Sequence, residues 1–477
     1  MTLVLGLDIG STTTKAALVE VADAVSVLHV ARRPTPADID ELLSAAAEVS
    51  RACTRRADAP IAAIGIASMG ESGAPLGRGG AALTPLLRWD RRLDRSHVDA
   101  LLGARPELPA TTGLPATTKP AAVALTALRA EQPEVHARMR HWAGAADLVA
   151  HALTGERVTD HTLAARTMLA SGGAWDAALL ADLDLTERML PAIVAPGEIA
   201  ARTGPGAEAF GLPRGVPVTV AGHDHAVGAW AVGARRPGET GDSLGTTEAI
   251  VRVTDAVDVA AAVADGFSVG RTVDGAALTV LAGSPACGAL LARWARDHPA
   301  DDVLARLSAL PSDAWTASPV LVLPYPSGRQ CPDPRPDAHV RVIGEGDAGD
   351  RARGLLQSLV SQARWMRETL DRRTGAPTRE LTVLGSLAQR IPVWAPWTAP
   401  TDAAVFVTTA AEPVAAGAAL LAATRAGAAS AEVAVLPRDR VVAIDDRDRD
   451  VTYRRFLAAV TDASTRTAAS TRTEGDP

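Results

Sequence analysis

Apolar residues along this chain fall into two kinds of block. Short runs at residues 3–7, 16–21, 61–67, 216–220, 249–253, 320–324 and 380–384 have the length and the β-branched or leucine-rich character of buried strands. Longer stretches at 36–56, 121–129, 147–154, 162–171, 226–234 and 352–370 carry the look of helices, in the last case with Leu355, Leu356, Leu359, Val360 and Trp365 at core-facing intervals. Leu153-Thr154-Gly155-Glu156 closes one helix with a glycine C-cap. The small-residue stretch that begins at Glu412-Pro413 reads as a helix start built for tight packing. Buried strands that give way to helices predict an α/β sheet architecture.

Polar residues collect where the strands end. The first run stops at Asp8-Ile9-Gly10-Ser11-Thr12-Thr13-Thr14-Lys15 and the chain then turns apolar again, which reads as a hairpin with a hydroxyl-rich turn. A Walker-type loop would open a helix with Gly-Lys-Ser/Thr, and that order is absent. The related physics is present. Gly10 lets the backbone approach an anion, and Ser11, Thr12 and Thr13 can donate to phosphate oxygens. Asp8 would repel a phosphate unless a cation lay between them, so it is a candidate ligand for Mg²⁺, directly or through water. A plain polar turn accounts for these residues equally well. The arrangement recurs at Asp242-Ser243-Leu244-Gly245-Thr246-Thr247-Glu248, just past a turn at Arg235-Arg236-Pro237-Gly238-Glu239 that reads as the boundary of two halves. One such turn opening each half suits a polyphosphate held from both sides of a cleft. Gly385-Ser386, after the run at 380–384, offers another close backbone approach, suited to a nucleoside.

The run at 216–220 leads into Ala221-Gly222-His223-Asp224-His225-Ala226, so Asp224 stands where a buried strand becomes a helix, at the mouth of the sheet. There it is either a catalytic base or simply an N-cap, for which Asp is a favoured residue. His223 and His225 could bond a substrate, tune Asp224 or be structural. Earlier, Arg88-Trp89-Asp90-Arg91-Arg92 groups an indole with a carboxylate and guanidinium groups. Trp89 could present an apolar wall to a sugar while Asp90 and Arg92 bond its hydroxyls, or the group could be a half-buried Trp beside a surface ion pair.

Composition narrows the class. A chain of 477 residues exceeds one core and suits two large domains. A formal net charge of -7 argues against a nucleic-acid surface. Cys53, Cys287 and Cys331 are widely spaced with no CxxC, which signals neither a disulfide framework nor a metal site and favours a reducing cytoplasm. No apolar stretch is long enough to cross a membrane, and Met1-Thr2-Leu3 runs into a strand without a signal peptide. From about Asp462 the chain is Ser/Thr-rich and reads as a flexible tail, 456–477.

Taken in order and spacing, these motifs resemble the FGGY carbohydrate kinase family of the actin-like ATPase superfamily, from residue 3 to about 455. The resemblance implies an α/β fold of two ribonuclease-H-like (actin-like ATPase) domains, 1–234 and 235–455, around a central nucleotide cleft. It implies ATP and Mg²⁺ as cofactors, with ATP on Gly10, Ser11, Thr12, Thr13, Lys15, Gly245, Thr246, Thr247, Gly385 and Ser386, the metal on Asp8, and Asp224 as catalytic base. The substrate implied is a small ketose, pentulose-like, or a polyol, held by Met69, Gly70, Glu71, Trp89, Asp90, Arg92, His223 and His225. The chain departs from the family at three places, the first being Trp89-Asp90-Arg91-Arg92, which has one residue fewer between Trp and Asp than the family's Trp-x-Asp-x-Arg. Met69-Gly70-Glu71-Ser72-Gly73 replaces the Met-His-Gly of many ketose kinases, putting a charged acceptor in that position, and Gly385-Ser386 stands where Gly-Gly is usual. Lys119, Leu153-Thr154-Gly155 and Asp160 fall where xylulokinases have similar residues. The expected partner is a small sugar or polyol, with a homodimer as the candidate assembly and no nucleic acid or membrane. The N-terminal string from Gly6 to Lys15 is also similar to the start of ATP-driven dehydratase activators, but those need paired cysteines for an iron–sulfur cluster. A sugar-sensing protein of the same fold is the other alternative, and a repressor of that type would need a helix-turn-helix ahead of residue 3.

Overall fold

The hydroxyl-rich run near the N-terminus is the turn of a hairpin. Strands β1 (Thr2–Ile9) and β2 (Thr13–Val21) pair antiparallel with Asp8 opposite Lys15, and β3 (Val25–Pro34) continues the meander beyond β2. Helix α1 (Ile39–Thr54) starts on Asp38, whose side chain accepts the amides of Asp40 and Glu41 and so satisfies donors the first turn leaves open. It returns the chain to β4 (Ile61–Ser68), parallel to β1 on the side away from β2. After a helical insertion with its own core around Leu101, Val123, Leu128 and Leu180 come α2 (Ala145–Thr154) and the short α3 (His161–Arg166). The expected helix over 162–171 ends early because Met168 takes a left-handed φ of 61°, which a helix cannot continue through. Strands β5 (Ala201–Arg202) and β6 (Pro217–His223) complete a sheet of order β5-β6-β4-β1-β2-β3, and α4 (Asp224–Ala231) follows β6 directly.

The order is then repeated. Strands β7 (Glu239–Leu244) and β8 (Glu248–Thr254) form a second hairpin, with β9 (Leu278–Ser284) next to β8. Helix α5 (Gly288–Asp297) and the long α6 (Ala348–Thr374) lead to β10 (Glu380–Leu384), parallel to β7, and β11 (Ala404–Thr408), parallel to β10. Helix α7 (Pro413–Arg425) comes before the edge strand β12 (Arg438–Val441) and helix α8 (Arg447–Thr473). A third strand, a hairpin and two parallel strands thus occur twice, as two ribonuclease-H-like units require. In α6, Leu355, Leu356, Leu359 and Val360 are buried, while Trp365 is only partly so, 5.0 Å from the Arg329 guanidinium.

The computed structural model describes residues 2–311, 315–444 and 447–473, and the chain separates into two compact units. The first runs to Arg235 and takes in Ser268–Thr279 and Thr409–Pro437; the second holds Arg236–Phe267, Val280–Thr408 and the chain from Arg438. Helix α7 therefore packs on the first sheet although it lies late in sequence. Glycines permit this: a Cβ on Gly6 of β1 or Gly65 of β4 would stand 1.8 Å from the carbonyl oxygens of Ala415 and Ala418. Small residues on both sides bring helix and sheet to backbone contact, and the first core is otherwise built from Leu3, Leu5, Leu7, Leu42, Ile64 and their neighbours. Helix α8 extends through the Ser/Thr-rich stretch, and residues 474–477 of the expected tail lie outside the described residues.

Candidate active site

Asp224 is the first residue of α4, and the capping position belongs to His223. Its Oδ1 accepts the amide of the next residue, His225, at 2.7 Å, from inside the first helical turn and not from the capping position. The side chain is 22% exposed. What aims it is a kink at the end of β6. The register with β4 shifts between Val220 and Gly222, and Gly222 adopts φ 126° with Asp160 and Thr162 packed where a Cβ would be. Beneath the kink, buried Asp160 accepts the amide and hydroxyl hydrogens of Thr162 at 2.8 and 2.6 Å. The Thr162 hydroxyl oxygen in turn accepts the His223 amide at 2.8 Å. Burial alone would raise the Asp160 pKa, but His161 and Arg425 hold it below the usual carboxylate range. Arg425, from α7, also donates to the Val220 carbonyl at 3.0 Å, so the strand end is fixed from both sides.

His223 is buried with Nε2 3.2 Å from Asp224 Oδ1. Burial, then the charge of Arg166, pushes its pKa well below the ordinary value. Arg166, at the end of α3, hydrogen-bonds Glu71, and both are largely shielded from solvent. Gly70 makes room for this pair, since a Cβ there would meet the Arg166 stem at 2.6 Å and the His223 ring at 2.9 Å. Met69 is buried in the first core. Glu71 and Ser72 line a small recess of mixed character with Trp142, Gly144, Asp147 and Thr159. Ser72 Oγ accepts the Trp89 amide at 3.0 Å, which ties the indole segment to the Glu71 loop. Lys119 Nζ lies 5.2 Å from the Trp89 ring centre. Asp90 is exposed and engaged by Arg88 at 2.7 and 2.9 Å, and Arg92 is exposed. The sugar-contact candidates thus split into a buried group, Gly70, Glu71, His223 with Asp224, and an outer group, Trp89, Asp90 and Arg92.

The first turn is braced from below. Thr35 donates its hydroxyl to the Gly10 carbonyl at 2.8 Å and its amide to the Thr12 carbonyl at 3.0 Å, while Arg88 donates to the Ser11 carbonyl. Thr12 is exposed, and Gly10, Ser11 and Thr13 are half-buried. Lys15 reaches Asp8 at 3.2 Å and Glu412 at 3.1 Å, and the Asp8 charge raises its pKa. Burial pushes the Asp8 carboxyl up to about 6 against Lys15, and the charge of Asp224 pushes in the same direction, which places these two carboxylates within electrostatic reach of each other. Asp8 Oδ1 is buried and has no hydrogen-bond partner among the described residues.

In the second unit, Gly245-Thr246-Thr247 closes the β7–β8 hairpin, and its carbonyls at Gly245 and Thr246 accept the Gly288 and Ala289 amides of α5 at 3.0 and 2.9 Å. The Thr246 side chain is exposed. Behind the turn, Asp242 and Glu248 are buried, and none of their four carboxylate oxygens has a hydrogen-bond partner among the described residues. Burial raises both pKa values, and the Asp242 charge raises that of Glu248 further, with Arg367 offsetting in part. Gly385, at φ 103°, lies against the β7 backbone, where a Cβ would meet the Leu244 carbonyl oxygen at 2.4 Å. Its close approach is thus to the protein's own chain, and Ser386 beside it is exposed. Cys53, Cys287 and Cys331 are all buried.

Sequence reasoning missed Arg166, the Asp160–Thr162 support, the Lys15–Glu412 pair and Arg367. Each acts on a residue far away in sequence, and nothing local marked Arg166, which lay inside the helix expected over 162–171.

Comparison with known proteins agrees with this layout. Residues 3–231 match the FGGY family of carbohydrate kinases, N-terminal domain, and residues 243–426 match its C-terminal domain. A glycerol kinase from Aromatoleum aromaticum is 28% identical over 421 residues, covering 81% of this chain and 83% of that one. An L-fuculokinase from Escherichia coli is 28% identical over 204 residues, 42% of this chain and 43% of its own. Among solved structures, xylulose kinase from Rhodospirillum rubrum superposes with a TM-score of 0.81 at 22% identity, covering 97% of this chain and 99% of that one. Gluconate kinase from Lactobacillus acidophilus gives 0.82 at 19% identity, with 98% and 99% covered. With both family domains matched in order along a doubled ribonuclease-H-like fold, the chain belongs to the FGGY family of carbohydrate kinases.

Proposed function

We propose that this carbohydrate kinase transfers the γ-phosphoryl group of ATP to a hydroxyl of a small ketose or polyol of five carbons or fewer, with Asp224 as general base. The observation that carries the reading is the placement of Asp224: a partly open carboxylate on the first helical residue of a strand–helix junction, fixed by a kink and a buried support. Its expected role is to accept the proton of the attacking hydroxyl, a contribution of about 10²–10⁴-fold. Glu71, held by Arg166, offers an acceptor for substrate hydroxyls in the buried group, and Trp89 an apolar wall in the outer one. Glycerol kinase and L-fuculokinase relatives support a small polyhydroxylated acceptor.

The hydroxyl-bearing turns Gly10–Thr13 and Gly245–Thr247 are the candidate phosphate contacts. Asp8 fits a magnesium ligand, because its buried Oδ1 lacks a protein donor and hard cations take oxygen. Mg²⁺ bound with ATP would supply charge neutralisation at the transferred phosphoryl group. Lys15 offsets the Asp8 charge from the protein side.

A coupled ADP-release screen across ketoses, aldoses and polyols tests the activity. With the best acceptor, Asp224→Ala should abolish sugar-dependent ADP release while nucleotide binding stays nearly intact. A loss below tenfold would remove Asp224 from the chemistry.

A further inference from the structure

Three consecutive side chains do not ordinarily converge, since neighbours alternate along a strand and diverge by about 100° around a helix. At His223-Asp224-His225 the chain changes from strand to helix, immediately after the Gly222 kink, and they do converge. Each offers one donor atom, a ring nitrogen or a carboxylate oxygen, and all three lie within 4.8 Å of one another. His223 Nε2 and Asp224 Oδ1 are 3.2 Å apart, close to the edge of about 3.3 Å of a tetrahedron with zinc-length arms. The two imidazoles stand edge to face, with ring centres 5.3 Å apart. His225 and Asp224 are only partly buried, so the cluster is open on one side.

From this geometry we infer that His223, Asp224 and His225 form a three-ligand site for a divalent transition metal, zinc above all, and that zinc and the substrate proton compete for Asp224. Two imidazoles and one carboxylate select against magnesium and calcium, which take oxygen ligands, and suit zinc, cobalt or nickel. Three protein ligands leave a fourth position for water or a substrate hydroxyl. Arg166, whose charge acts on His223, is already engaged by Glu71. Zinc on Asp224 takes up the oxygen that would receive the proton, so occupancy switches transfer off. The inhibitory half rests on Asp224 being the base, and the binding half does not.

The test uses the untagged full-length chain freed of metal. Zinc is titrated against a chromophoric chelator, and cobalt is added separately to read the visible spectrum of a low-coordinate site. One equivalent should bind with Kd at or below about 1 μM. His225→Ala and His223→Gln should each weaken binding at least about tenfold. Wild type with excess Mg-ATP should lose sugar-dependent ADP release on adding one equivalent of zinc and regain it with a zinc-selective chelator. No bound equivalent at tenfold excess, binding that ignores both histidine changes, or full activity in the zinc-loaded enzyme would overturn the inference. The binding arms need no turnover. A chain that binds zinc as described but releases ADP with no sugar supports the metal site and instead removes the kinase chemistry proposed above.

Discussion

The most exposed test of the substrate pocket is the Glu71–Arg166 pair, because each partner leaves a charge behind when the other is removed. The side chains are only 9% and 16% exposed, so an orphaned Glu71 has little water to turn to. Arg166→Met should therefore destabilise the first unit by about 3 kcal/mol, at the low end of what breaking a buried pair costs, and Glu71→Gln with Arg166→Met together should recover most of it. A double-mutant cycle in urea measures this, and a coupling below about 0.5 kcal/mol would make the pair incidental. The carboxylate of this pair was legible in the sequence as a departure from Met-His-Gly, but its partner 95 residues away was not. Asp224 was legible as a residue at a strand end, yet nothing in the sequence separates a cap from a free carboxylate. That difference lies in where the helix begins: Asp224 is its first residue and the capping position falls on His223. Asp90 shows the opposite error of scale: its local company suggested bonds to sugar hydroxyls, while its nearest guanidinium, Arg88, binds it at 2.7 Å.

At the level of elements, the hairpins were the easiest to read, since an apolar run, a hydroxyl-rich turn and a second apolar run leave few alternatives. The stretch at 162–171 was misjudged because composition does not reveal a left-handed Met168. Nor does local sequence show that α7 packs on the first sheet, since the matching surface is a pair of glycines hundreds of residues earlier. Gly65→Ala should test that contact. Its Cβ would lie 1.8 Å from a backbone oxygen, so the helix must move, at a cost of about 1–3 kcal/mol or more. Gly103→Ala is the matched control: it sits in the helix Ser96–Ala104 with no atom of the described residues within 4 Å of its Cβ, and should stabilise by about 0.5–1 kcal/mol. Equal thermal shifts for the two variants would refute the packing argument. For the second turn, Thr246→Val removes only an exposed hydroxyl and keeps the carbonyl that accepts the Ala289 amide. It should raise the KM for ATP with little change in thermal midpoint, and an unchanged KM would make the turn structural.

For the molecule as a whole, the buried titratable groups pull stability in opposite directions with pH. His136, His141 and His223 are held below their ordinary pKa, by burial first, so each weakens the fold as pH falls through the ordinary histidine range. Asp147 does the reverse. Burial raises its carboxyl from 3.8 to about 6 against the hydrogen bonds from Thr159 and Gly144. In the unfolded chain it ionises near 3.8, so its native-state proton favours the fold fully at low pH, and that advantage is lost as pH rises through about 6. A bare stability profile would blend these contributions with those of Asp8 and Asp242, whose carboxyls are also raised by burial. Asp147→Asn isolates one of them, since the amide oxygen can still accept the Gly144 amide, which the carboxylate does at 2.7 Å, and cannot ionise. The variant should gain on wild type between pH 5 and pH 8 by about 1.4 kcal/mol, read as a widening difference in Tm. A difference that stays flat over that interval would mean that Asp147 is solvated through the recess beside Glu71 and keeps an ordinary acidity.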